Sequence, residues 1–177
     1  MTASLSAEKT LQFLLDAPMF GDLSPQELTR IVDIVEVQEV SDGGVVFAEG
    51  DPGDAWYVVY DGEVEVLKGE GDKERAIAIL GRRACFGEMA ILDGSPRSAT
   101  VRARGPLTVM RFARRDFAAL LKADTLAAYK LVHQIALVLV SRQRRTTSRL
   151  VEILDAGDAG SMRDGLAPIV EQSSVAE

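Results

Sequence analysis

The residues best suited to chemistry lie in one stretch, Phe86-Gly87-Glu88-Met89-Ala90-Ile91-Leu92-Asp93-Gly94-Ser95-Pro96-Arg97-Ser98-Ala99-Thr100-Val101. It sets an acid, Glu88, and a guanidinium, Arg97, among small residues. Small residues let a ligand come close to the backbone. A guanidinium offers a planar fork of donors to paired anionic oxygens, and an ionised carboxylate accepts from hydroxyls. The two groups can grip different ends of one small polar molecule.

Other chemistry is thin. No Ser-His-Asp set, Gly-rich Walker loop or metal-spaced cluster stands out. Cys85 is the only cysteine, so no intramolecular disulfide forms and one thiol cannot hold an iron–sulfur cluster. His133 is the only histidine and reads as a surface or interface residue rather than a metal ligand. The expectation is a chain that is not an enzyme and carries no metal or cofactor.

The elements that must position Glu88 and Arg97 read as follows. Residues 1–9 are polar and read as a flexible N-terminus. Leu11, Leu14 and Leu15 give a short amphipathic turn ending near Pro18. Ser24-Pro25-Gln26-Glu27 is a helix start, with a capping residue, Pro at the first position and an acidic first turn; Leu28, Ile31, Val32 and Val35 supply the buried face. After Asp42-Gly43-Gly44 the pattern turns to strands: 45–47, 56–60, 63–66, 76–80, 98–102 and 107–112. Tyr60-Asp61-Gly62-Glu63 reads as a tight hairpin. Short strands with frequent turn signals predict a barrel or jelly roll. Residues 116–122 read as a short helix. A long one runs from 125 to about 154, about 45 Å at the helical rise. The segment 155–177 is rich in Gly, Asp, Ser and Ala and reads as a disordered tail.

The chain of 177 residues has 47% hydrophobic and 27% charged residues, which suits one globular domain with an appendage. Its net charge of −7 argues against broad attraction to DNA or anionic membrane. No secretory pattern and no run of membrane-spanning length is present. A soluble, cytoplasmic protein is expected.

The Phe86–Val101 segment resembles the phosphate-binding cassette of the cyclic nucleotide-binding domain family. Val46-Phe47-Ala48-Glu49-Gly50-Asp51-Pro52-Gly53-Asp54, then Tyr57-Val58-Val59 and Gly62-Glu63-Val64, resemble the front half of that family's barrel. With the helices that flank them, which also fall where that family has them, the resemblance covers about residues 20 to 150. The resemblance implies a mainly β fold with flanking α: a double-stranded β-helix (jelly-roll) barrel with N-terminal helices and a long C-terminal helix. It places the binding domain at 10–123 and a dimerisation and capping helix at 124–154. It implies a cyclic nucleotide ligand, with Arg97 on the cyclic phosphate and Glu88 on the ribose 2′-hydroxyl. Ser98 and Ala99 complete the phosphate cradle, Gly87 to Ala90 (through Glu88 and Met89) open a short helix beside it, and Ala90 and Ala99 leave room for the sugar-phosphate. Ser98 after the Arg is similar to the bacterial cAMP-responsive regulators, so cAMP is favoured, with a cGMP-preferring module as an alternative.

Val132, Ala136, Leu139, Gln143, Thr146, Leu150 and Ile153 follow alternating steps of four and three, an a/d seam that predicts a homodimer through 125–154. In dimeric bacterial relatives this part of the helix caps the base, which makes Arg142, Gln143 and Thr146 candidate base contacts. The polar pair Gln143 and Thr146 can equally set the register of the seam. The residues after Leu154 are too few for a helix-turn-helix domain, so no DNA binding by this chain and no membrane contact are expected. The reading is a cAMP sensor module that signals through its long helix to a separate effector protein. The alternatives are a nucleotide-free dimeric scaffold and the sensor part of a truncated transcription regulator.

Overall fold

The computed structural model describes residues 5–123, 125–156 and 169–171. Helix α1 (Ala7–Leu15) begins at Ser6, whose hydroxyl accepts from the Lys9 N–H. Residues 7–9 are therefore helical rather than part of a flexible N-terminus; residues 1–4 lie outside the described residues. A 3₁₀ turn over Pro18–Phe20 leads to α2 (Pro25–Val32). Here a capping box forms: the Glu27 N–H donates to Ser24 Oγ and the Ser24 N–H to Glu27 Oε2.

Strands follow as β1 (Val35–Val40), β2 (Val45–Phe47), β3 (Ala55–Lys68), β4 (Arg75–Leu80) and β5 (Cys85–Phe86). Then come α3 (Glu88–Asp93), β6 (Thr100–Ala113), α4 (Arg114–Ala123), α5 (Thr125–Ala156) and β7 (Ile169–Glu171). The sheet runs β1-β6-β3-β4-β7, with β2 beside β6 and β5 beside β3. This is the expected mainly β jelly roll with flanking helices, but its hydrogen-bonded path is open at β1 and β7 rather than closed into a barrel. Strand β1 was not among the expected strands, and Val35 belongs to it rather than to the preceding helix. The alternation of valines with polar residues in Val-Glu-Val-Gln-Glu-Val is the strand signal there.

The hairpin expected at Tyr60–Glu63 does not form. Strand β3 runs straight through it, and β6 likewise replaces the two strands expected at 98–102 and 107–112. The two pair from Ala55↔Ala113 to Leu67↔Thr100, with register shifts around Asp61 and Glu63. Gly62 has φ +90°, and a Cβ there would lie 2.4 Å from the Pro106 carbonyl oxygen. The Asp-Gly pair thus serves a bulge that bends a long ribbon, not a turn that reverses it.

The ribbon is apolar on both faces, and each face has its own core. Trp56, Val58, Met110 and Phe112 pack with Phe13, Phe20, Leu28, Ile31, Phe117, Leu131 and Ile135 of the helical layer. Tyr57, Val59, Val64, Leu107 and Val109 pack inward with Leu80, Phe86 and Val101. The near-continuous run Ala55–Val59 is buried throughout because both faces are covered.

Helix α5 is apolar on two sides. Ala127, Leu131 and Ile135, with Val132, Val138 and Leu139 partly, pack on the helical core. Leu126, Tyr129, Leu137, Val140, Leu150, Val151 and Leu154 are exposed. Two residues of the expected seam, Val132 and Leu139, therefore face their own domain, and the outward stripe is rotated from the expected one. Spacing alone finds apolar stripes but does not say which one meets the barrel. Beyond α5, Ile169–Glu171 form a strand parallel to β4, within the segment expected to be disordered. Residues 157–168 and 172–177 of that segment lie outside the described residues.

Lys130 of α5 ties the helix to α2, its Nζ lying 2.9 and 3.0 Å from the two Glu27 carboxylate oxygens. The Ser24 backbone N–H first, and Lys130 next, hold the Glu27 carboxyl below its ordinary value. A depressed carboxyl adds stability that is complete above the ordinary glutamate pKa of about 4.3 and is lost as pH falls through the lower folded value. Urea unfolding from pH 7 down to pH 3 is expected to show a steeper acid loss for the native chain than for Glu27→Gln. Identical pH profiles would remove this pair from the acid limb.

Candidate functional site

Pairing of β5 with β3, Tyr57↔Phe86 and Val58↔Cys85, sets the start of the Phe86–Val101 segment. Gly87 then turns the chain at φ +77° into α3, and Gly94, at φ +74°, ends it. The return through Pro96 is pinned by the backbone: the Arg97 N–H donates to Asp51 O at 2.8 Å, and the Gly50 N–H donates to Arg97 O at 2.9 Å. Lys68 holds the next residue, donating to the Ser98 carbonyl at 2.7 Å.

These constraints bury the Arg97 guanidinium, whose side chain is 1% exposed. Its Nη1 donates to Gly87 O at 2.9 Å and its Nη2 to Asp54 Oδ1 at 3.0 Å. Its carbon lies 4.0 Å above the centroid of the Phe47 ring, a cation–π contact. Phe47 in turn packs on Tyr57 and Phe86, which stack on each other at 5.1 Å. The Arg97 Nε is buried with no hydrogen-bond partner.

Asp54 does not serve Arg97 alone. Its other oxygen accepts from Arg111 at 2.7 Å, and Arg111 also pairs with Glu36 at 2.8 Å. Burial pushes the Asp54 carboxyl up, but the Arg111 hydrogen bond and charge, helped by Arg97, hold it below the ordinary aspartate value. Burial likewise opposes the charge on Arg111, and its bonds to Asp54, Glu36 and Tyr57 more than restore it. Asp54 and Glu36 together balance the two guanidiniums, and the atom of Arg97 left without a partner is its buried Nε.

Glu88 is 2% exposed, and it accepts from Arg142 of α5 at 2.7 Å. Arg142 also donates to the Cys85 carbonyl. The long helix is thereby latched to the acid of the segment.

A cavity of about 630 Å³ opens between the segment, the sheet and α5. Gly87, Glu88, Met89, Ala90, Arg97, Ser98 and Ala99 all line it. Val66, Ile77, Ala78, Leu80 and Val101 give it apolar walls, and Arg142, Arg145 and Thr146 reach it from α5. Its volume lies in the range that holds a small organic ligand. It offers a buried cation and a hydroxyl-bearing Ser at one end, a carboxylate acceptor, flat apolar walls and a polar helical cap.

Of the helix residues singled out by sequence, Gln143 is not brought to the cavity. It is exposed and donates to Thr147 at 3.4 Å. One residue along a helix is a turn of about 100°, which takes its side chain off the face shared by Arg142, Arg145 and Thr146. Arg145 was missed, although its spacing of three from Arg142 puts both on that face. Phe47, Asp54 and Lys68 were also missed as site residues; nothing near them in sequence ties the first two to Arg97 or Lys68 to Ser98, because the ties are made by the fold. Among the described residues no cluster of three or more His, Cys, Asp or Glu side chains is arranged to hold a metal. No helix among them is long and apolar enough to cross a membrane.

The sequence profile described as "Cyclic nucleotide-binding domain" matches residues 37–124, from β1 to the end of α4. The chain carries a domain of the cyclic nucleotide-binding family. A cAMP-dependent protein kinase regulatory subunit from Mycosarcoma maydis is 36% identical over 115 residues, which is 62% of this chain and 22% of that protein. The cyclic AMP receptor protein of Thermus thermophilus is 28% identical over 165 residues, 88% of this chain and 74% of that one. A solved cyclic nucleotide-binding domain from Methylobacillus flagellatus superposes with a TM-score of 0.72 at 29% identity, covering 82% of each chain. The chain spans about a quarter of the length of the kinase regulatory subunits it matches. The domain is thus related both to kinase regulatory subunits and to a bacterial receptor protein.

Gly87 is the backbone position on which the cavity's charged end turns. A Cβ there would meet Arg97 Nη1 at 2.8 Å and the Phe47 ring at 3.2 Å, in a conformation that side chains rarely adopt. Gly87→Ala is expected to cost about 1–3 kcal/mol of folding stability, read as a lower urea midpoint. An unchanged midpoint would mean that the clamp on Arg97 is loose.

Proposed function

We propose that this domain is a cyclic nucleotide sensor that takes cAMP in preference to cGMP and reports its occupancy through α5 to a separate effector. The observation that carries the reading is Arg97: a buried guanidinium on the cavity wall, held by Asp54 and Gly87 O, with its Nε left without a hydrogen-bond partner. In this reading Arg97 and Ser98 take the cyclic phosphate, with Ala99 and Ala90 leaving it room. Glu88 accepts from the ribose 2′-hydroxyl, a contact that a deoxyribose does not make. Arg142, Arg145 and Thr146 form the helical cap over the base. The names of the relatives, cAMP-dependent kinase subunits and a cyclic AMP receptor protein, support cAMP over cGMP.

Signalling follows from the latch. Arg142 bonds the acid assigned to the ribose, so a ligand that draws on Glu88 changes what holds α5 to the cavity. Ile91 of α3 packs on the same core as Phe117 and Leu120 of α4, which gives the cassette a second contact with the helices. Leu92 is exposed and takes no part in that packing. A small difference in contacts between the two states is enough to bias such an element.

A nucleotide-free scaffold would have its cavity filled or blocked, for example by Arg97 locked onto Glu88. Instead the cavity is open, and Arg97 bonds Asp54 and Gly87 O.

Calorimetry on nucleotide-stripped protein tests the ligand. cAMP is expected to bind more tightly than cGMP. Arg97→Lys, which keeps the charge and loses the fork, is expected to weaken cAMP by roughly tenfold to a hundredfold, the worth of a charge-assisted hydrogen bond. No heat with either nucleotide would overturn the reading.

The partner on the outward face of α5 is, in this proposal, a second copy. Leu126, Tyr129, His133, Ala136, Val140, Gln143, Thr147, Leu150 and Leu154 recur in steps of three and four, the spacing of a two-helix seam. Sedimentation equilibrium is expected to show a dimer that Val140→Glu converts to a folded monomer. A native chain that is monomeric at 100 µM, roughly the range in which weak pairs assemble, would rule the dimer out.

A further inference from the structure

The edge of the sheet beside the cavity is occupied in an unexpected way. Strand β4 pairs with β3 on one side, from Val64↔Leu80 to Lys68↔Arg75. On its other side lies Ile169–Glu171, in the register Ala78↔Ile169, Ile79↔Val170 and Leu80↔Glu171. Two of those three β4 residues, Ala78 and Leu80, line the cavity. The neighbouring Ile77 lines it too and is 46% exposed. The short strand is therefore the in-sheet neighbour of a strand that walls the site.

The path of the chain adds to this. Helix α5 supplies Arg142, Arg145 and Thr146 to one side of the cavity, and the chain that leaves it at Ala156 rejoins the fold on β4, another wall of the same cavity. An unpaired sheet edge exposes a row of backbone donors and acceptors that will take any extended segment. Here the segment is tethered, so it meets the edge at high effective concentration. Three residues of pairing make a weak, reversible contact, the kind that ligands shift.

We propose that Ile169–Glu171 is a docking strand coupled to ligand occupancy: it adds to β4, fixes the apolar wall of the cavity, and is itself held more firmly when the cavity is filled. This rests on the nucleotide reading above. A ligand packed on Ala78 and Leu80 restricts β4, and a restricted β4 is a better template for the added strand. Linkage makes the effect reciprocal, so the docked strand raises ligand affinity by the factor by which the ligand favours docking. The partner surface is thus the outer edge of β4 and its occupant this chain's own C-terminal strand.

Hydrogen–deuterium exchange on the full chain, with and without cAMP, reads the docking directly. Amides of 76–80 and 169–171 are expected to be protected, and more so with cAMP. Two variants follow: a chain ending at residue 168, and the full-length Ile169→Pro/Val170→Pro chain. Two consecutive prolines remove both N–H groups, one of which must face β4. The second variant keeps the full length and serves where truncation impairs folding. Both are expected to lose protection on β4 and to bind cAMP roughly fivefold more weakly or worse, within the usual range of coupling.

Equal β4 protection in native and variant chains overturns the docking. Unchanged cAMP affinity in both variants overturns the coupling. Protection that grows with protein concentration overturns docking within one chain in favour of strand exchange between copies. No cAMP heat with the native chain overturns the nucleotide reading and the coupling together, while β4 protection still answers for the docking.

Discussion

A guanidinium almost cut off from water must be matched on every side, and the burial of Arg97 is the constraint on which this site depends. An unpaired buried charge costs several kcal/mol. Gly87 O, the Asp54 carboxylate and the Phe47 ring supply the match. Each is delivered by a different piece of the fold. Gly87 follows β5, which is registered on β3. Asp54 stands in the loop before β3 and is braced by Arg111 of β6. Phe47 belongs to β2, paired to β6 at Val101. The sheet has to be assembled before these groups meet, so the charged end of the cavity is a product of the whole domain. The match is also incomplete, since the buried Nε of Arg97 has no hydrogen-bond partner.

The bent ribbon of β3 and β6 solves a second problem. It carries apolar side chains on both faces, one set facing inward and one facing the helices. The ribbon is thus a wall shared between the helical core and the core beside the cavity. Helix α5 goes further, because it belongs to both sides: Leu131 and Ile135 lie in the helical core, and about two to four turns on, Arg142 and Thr146 line the cavity.

Much of this was legible from residue order. The helix starting at Ser24 was marked by local capping, and the Phe86–Val101 segment by its own residue types, so short-range chemistry was enough for both. All seven segment residues do share one cavity. What failed were inferences in which one signal serves two ends. Asp61-Gly62 carries the same residue types for a reversing turn and for a bulge, and only the distant Pro106 against Gly62 decides between them. The a/d spacing on α5 marked apolar stripes without saying which one the barrel would claim. Asp54 and Lys68 were invisible as site residues because Arg97 and Ser98 lie far from them along the chain. The edge strand at 169–171 was hidden by a composition that reads as tail. Its pairing depends on a vacant β4 edge, which the tail's own residues do not reveal.

The chain has a single tryptophan, and its position gives the domain an intrinsic optical reporter. Trp56 is wholly buried, stacked on Phe112 at 4.1 Å and edge-on to Phe117 of α4 at 5.9 Å. Its side chain belongs to the helical core and does not line the cavity. Ligand bound in the cavity therefore has no direct way to quench or polarise its emission. A fluorescence change at Trp56 would have to travel across the ribbon into the helical layer, so its spectrum is a readout of transmission and not of occupancy.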